Sequence, residues 1–202
     1  MFNYNIFLPE FSRRTVSDAC AFLKEESIEA EISPKFDPGK KPPYKVKLDF
    51  AIIPTFVKGW SLSDDKILSS FNISVKPFDM RKLEESQKFS FGNLFKNKKG
   101  EESLLDIKKI KKSTDKSTLA KLGSCKYEIT IEEDLNLFGS ETFAPLFAVA
   151  FTIAGRGMLY EGEFAGTRKQ IMEDYFPNDI EFDELIEDIE DGKKPLIFER
   201  WP

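Results

Sequence analysis

Residues 146–164, LFAVAFTIAGRGMLYEGEF, decide how this chain is read. From Leu146 to Ala154 every residue is apolar except Thr152. A run of that length with no polar alternation suits a central strand covered on both faces. Met158, Tyr160, Gly162 and Phe164 then alternate with Leu159, Glu161 and Glu163, the pattern of a second strand whose carboxylate side is wet. With a strand on either side, Gly155-Arg156-Gly157 reads as a hairpin turn that needs positive φ. A phosphate loop would need strand, glycine loop and helix in that order, and no Gly-Lys-Ser or Gly-Lys-Thr follows any glycine.

Upstream, NYNIFL (3–8) reads as a strand and RRTVSDACAFLKE (13–25) as a helix with Val16, Ala19, Cys20 and Leu23 on its buried stripe. IEAEISP (28–34) alternates as a strand, FDPGKKPP (36–43) turns, and YKVKLDFAIIP (44–54) alternates again. Ser63 is placed to cap a short helix through Phe71, and NISVKPF follows as a strand. YEITIEED from 127 reads as a half-solvated strand, TRKQIMEDYF as a helix, and PLIFERW as a closing strand. The expectation is an α+β fold: a mixed or antiparallel sheet with helices packed on it, one domain over residues 1–202.

The segment 81–126 differs in kind. It holds thirteen Lys and Arg against six Asp and Glu, a local net of +7, within a chain whose net charge is −5. It is expected to be a basic, loop-rich, partly flexible insertion, cut first by trypsin within 88–102. The cations are nearly all Lys, whereas bidentate phosphate and guanine contacts favour Arg, so nucleic acid is not the expected partner. A solvated surface accounts for the lysines.

Composition excludes several chemistries. The chain has no His, which removes Ser-His-Asp and Cys-His catalysis. Two cysteines, Cys20 and Cys125, cannot build a zinc shell, and no cofactor signature is present, so neither a metal nor a cofactor is expected. The remaining enzymatic reading is a magnesium-dependent nuclease using Asp49, Glu161 and Glu163, for which no carboxylate-x-Lys pair lies on the same strand. The start, MFNYNIFLPEF, lacks a basic region followed by an apolar one, and no run is long enough to span a membrane, so a cytoplasmic location is expected.

One feature points to a partner. Residues 173–191 hold ten carboxylates and no Lys or Arg. Read as a helix, the stretch buries Phe182, Leu185, Ile186 and Ile189 and turns Asp183, Glu184, Glu187, Asp188 and Asp191 outward. The outward carboxylates repel one another at i, i+4, and anions at a helix C-terminus oppose its dipole. Either the chain's own Lys-rich middle neutralises this face or a basic partner does. The expected function is therefore non-enzymatic protein binding, as in an inhibitor such as an immunity protein that neutralises a basic bacterial toxin or enzyme. A subunit contact in a larger assembly would look similar.

Overall fold

The apolar run at 146–154 is the second half of a helix, Ser140–Ala154, in the computed structural model, which describes residues 3–54, 65–90, 105–176 and 183–201. A fully buried strand and a fully buried helix carry the same pattern, because burial on every side has no period. The helix has eleven buried residues, and Ala144, Ala148 and Ala150 let it lie close to its neighbours. Gly155-Arg156-Gly157 is thus a helix-to-strand corner, not a hairpin. Positive φ falls on Arg156, at 53°, while the glycines supply room. A Cβ on Gly157 would stand 2.3 Å from the Phe7 carbonyl oxygen and 2.2 Å from Leu8 Cδ2.

The strands are β1 (Asn3–Leu8), β2 (Ala30–Ile32), β3 (Tyr44–Ile52), β4 (Ile67–Pro77), β5 (Tyr127–Glu132), β6 (Met158–Tyr160), β7 (Phe164–Ala165) and β8 (Leu196–Ile197). They form one antiparallel sheet of eight strands in the order β2-β3-β4-β5-β1-β6-β7, with β8 paired to the first two residues of β4. The helices are α1 (Arg13–Glu25), α2 (Met80–Ser90), α3 (Ile107–Ser113), α4 (Lys116–Ser124), α5 (Ser140–Ala154), α6 (Arg168–Tyr175) and α7 (Asp183–Glu190). The fold is α+β, with helices on both sides of the sheet.

Alternation along β1 divides the core. Ile6 and Leu8 join the large cluster under α1, α5 and α6, built around Phe50, Phe71, Phe143, Phe147 and Phe151. Phe50 and Phe147 pack at 4.6 Å between ring centroids, a separation at which aromatic pairs attract beyond their area burial. Phe7 points the other way, into a second cluster with Phe78, Leu105, Ile107, Ile110, Leu122 and Met158. The basic middle is therefore helical where it is described, and α2, α3 and α4 supply this second core. Asp106 and Asp115 cap α3 and α4 through the backbone N–H groups of Lys108, Lys109, Ser117 and Thr118. Residues 91–104, including most of the expected tryptic site, lie outside the described residues.

Other expectations shift for physical reasons. The span 67–71 is the start of β4, not a helix, and Ser63 lies outside the described residues. Ser69 hides the alternation there: it points inward and donates to the Phe138 carbonyl at 2.7 Å. On α1 the buried face is Thr15, Ala19, Phe22 and Leu23, so Cys20 is only half-buried. MLYEGEF is two short strands, β6 and β7, and Glu161 and Glu163 stand in the turn around Gly162, whose φ is 88°.

Candidate interaction surface

The acidic stretch does form a helix, α7, but it is rotated from the expected face. Leu185 is fully buried and Asp188 is only 3% exposed, whereas Ile186 and Ile189 are 50% and 47% exposed. Asp188 is therefore not an outward residue. Its Oδ2 accepts the Gly139 N–H at 2.7 Å, and its Oδ1 accepts from the Lys193 ammonium. Gly139, at φ 72°, is the residue that caps α5 and has no side chain of its own to do so. The carboxylate thus sits at the positive end of the α5 dipole.

The end of α7 brings the cation into place. Gly192 adopts φ 79°, its N–H donates to the Ile189 carbonyl, and the Lys193 N–H donates to the Asp188 carbonyl. Those two bonds are the paired closure of a helix ended by a left-handed glycine. They fold the chain back so that Lys193 reaches the carboxylate one turn earlier. The Asp188 hydrogen bond holds the Lys193 ammonium above the usual lysine range, outweighing the opposite effect of partial burial. Once Asp188 is drawn inward with Leu185, helical spacing carries Ile186 and Ile189 to the solvent side.

Glu187 and Asp191 are exposed as expected, beside the exposed Glu190. Asp183 and Glu184 open the helix, but their side chains and Phe182 fall outside the described residues. Sequence periodicity missed Ile186 and Ile189 as surface groups. The signal that could have found them is Gly192-Lys193, a helix stop followed by a cation able to neutralise a buried carboxylate.

The exposed apolar surface extends beyond α7. Among the described residues the large exposed apolar side chains are Leu135, Ile186, Ile189, Leu196 and Ile197. Three contacts gather the segments that carry them. Gly139 binds Asp188 of α7, Phe138 accepts from Ser69 of β4, and Ile67 and Leu68 of β4 pair with β8. The loop before α5, the helix α7 and the strand β8 thus meet at the end of the sheet where β4 begins.

No known protein family matches this chain, and no curated protein or solved structure matches it either.

The alternative chemistry finds no assembled site. Asp49 lies on β3, and Glu161 and Glu163 follow β6, four strand positions away in the sheet, about 19 Å at the usual spacing. Among the described residues no three Cys, Asp or Glu groups converge as a metal shell. No helix of the described residues is long and apolar enough to cross a membrane. Both thiols are held up by burial, Cys125 to about 12, which keeps them protonated and unreactive at neutral pH.

Proposed function

We propose that this is a non-enzymatic protein-binding protein whose contact surface is the outer side of α7. Its type is an inhibitor such as an immunity protein, which neutralises a basic toxin or enzyme. The observation that carries the reading is the pairing of Ile186 and Ile189, half-exposed, with the carboxylates Glu187, Glu190 and Asp191 around them. Apolar anchors supply affinity once desolvated, and the surrounding charge supplies steering and selectivity. A partner that fits presents an apolar recess ringed by Lys or Arg.

The reading is tested by capture from native lysate with three baits: the natural protein, the pair Ile186→Ser with Ile189→Ser, and the pair Glu187→Lys with Asp191→Lys. All four positions are exposed, so melting temperatures should stay within a few degrees of one another. One basic protein should be retained by the natural bait, be lost from both variants, and elute as salt is raised. Equal retention by all three baits would remove α7 from the contact.

A further inference from the structure

Residues 105–124, which form α3 and α4, carry six Lys against two Asp, a local net of +4. Both carboxylates are occupied within the chain. Asp106 accepts from the Lys108 and Lys109 N–H groups at the start of α3, and Asp115 from those of Ser117 and Thr118 at the start of α4. α2 packs beside α3 and sets Arg81, Lys82 and Lys88 against Asp79, Glu84 and Glu85, which leaves the balance unchanged. Lys111 pairs with Glu84 at 2.7 Å, and Lys121 donates to the Gly166 carbonyl. Lys109, Lys112 and Lys116 are exposed and make no ion pair among the described residues.

Ile107 and Ile110 anchor α3 in the second core, so helical spacing turns Lys109 and Lys112 to the opposite, outer side, one turn apart. Lys116 opens α4 four residues on. The three cations are thus carried by capped, packed helices instead of the solvated loop that composition suggests. The acidic helix α7 does not neutralise them, because Leu185 belongs to the core on one face of the sheet and Ile107 and Ile110 to the core on the other. Packed layers stand about 10 Å apart. Charges separated by more than about 8 Å are largely screened at physiological ionic strength.

The chemistry of this face selects its partner. None of the large exposed apolar side chains lies on α3 or α4. A protein contact draws its affinity from apolar anchors, and stable adsorption to a membrane takes a second, apolar signal besides basic charge. A phosphate backbone needs neither, since cations bind it by displacing its counterions. We infer that the outer side of α3, with Lys116 of α4, binds the phosphate backbone of a nucleic acid without reading its sequence. The scarcity of Arg argues against base readout, whereas Lys serves phosphate as a point charge. The contact lies across the sheet from α7 and is independent of the function proposed for that helix.

Fluorescence anisotropy with a short labelled DNA duplex of arbitrary sequence tests this. The natural chain should bind it, and should bind a second duplex of unrelated sequence equally. Neutralising three phosphates gives a slope of about −2.7 in log affinity against log salt, a loss of about 40-fold between about 50 and about 200 mM. Lys109→Glu with Lys112→Glu should weaken binding by about tenfold or more and flatten that slope. Lys109→Arg with Lys112→Arg should keep both. Arg14→Glu with Lys24→Glu makes the same change in net charge on α1, across the sheet, and should bind like the natural chain. All four positions are exposed, so melting temperatures should agree within a few degrees. No binding to either duplex at the lower salt overturns the inference, and so does an equal loss in both charge-reversed variants. Binding to anionic lipid vesicles or to polyglutamate in preference to the duplex would assign the face to a membrane or an acidic protein, and overturns it as well.

Discussion

At the scale of single residues, the fate of Asp188 separates two kinds of carboxylate on one helix. Asp188 is buried and satisfies both the Gly139 N–H and the Lys193 ammonium, whereas Glu187, one residue earlier, is exposed. Removing one member of a buried pair leaves the other charge without its partner, which is costlier than losing a surface charge. Asp188→Ala is expected to cost about 2–4 kcal/mol in urea unfolding, and Glu187→Ala no more than about 0.5 kcal/mol. A charge reversal of the helix that includes Asp188 would thus unfold what it was meant to probe. The same pair sets a pH dependence. Lys193 titrates above its unfolded value of about 10.4, so its stabilising contribution is complete below that pH and is lost as pH rises through the folded value. The natural chain should lose stability over that alkaline window more steeply than Asp188→Asn, which keeps an acceptor for Gly139 but no charge for Lys193. Parallel profiles would show that the pair contributes nothing.

At the scale of elements, the corner between α5 and β6 is set by contact rather than by backbone freedom. Gly157 lies against Phe7 and Leu8 of β1, with the Phe7 carbonyl oxygen too near for any Cβ. Gly162, in the β6–β7 turn, has φ 88° and nothing within 4 Å of where a Cβ would stand. Two glycines five residues apart should therefore respond differently to alanine. Gly157→Ala must push the corner off β1 and is expected to cost about 2–4 kcal/mol. Gly162→Ala meets only the left-handed strain of an ordinary residue, about 1–2 kcal/mol. Denaturant midpoints of the two variants at equal slope provide the comparison. If Gly162→Ala is the worse, the close approach of β1 and the corner is not what fixes the turn.

At the scale of the whole molecule, one sheet serves two cores. Phe7 on β1 faces α2, α3 and α4, while Ile6 and Leu8 beside it face α5. Helices that pack on opposite sides of shared strands cannot lose their support separately. Urea unfolding followed by far-ultraviolet circular dichroism and by Trp fluorescence should give coincident single transitions. An early helical transition with the remaining signal intact would mean that the basic layer folds on its own terms. Exposed lysines gather on α3 and α4, and exposed carboxylates on α7, against opposite sides of the sheet.

Local pattern determined much of this protein without help. The alternation of Tyr127, Ile129 and Ile131 made β5 legible, the apolar spacing from Arg13 to Glu25 made α1 legible to its ends, and the lack of His removed whole classes of catalysis. These features depend on neighbours one to four residues apart, and the chain displays them directly. The surface of α7 depended on partners the sequence holds far away. Asp188 turns inward because Gly139, 49 residues earlier, offers an N–H at the start of a buried helix. That rotation sends Ile186 and Ile189 to the surface. Leu146 to Thr152 could not be told as helix for a related reason: the residues are buried one after another, and uniform burial erases the period that separates helix from strand. Only the tertiary structure decides such cases, because the energy that decides them comes from desolvating groups that meet after the chain has folded.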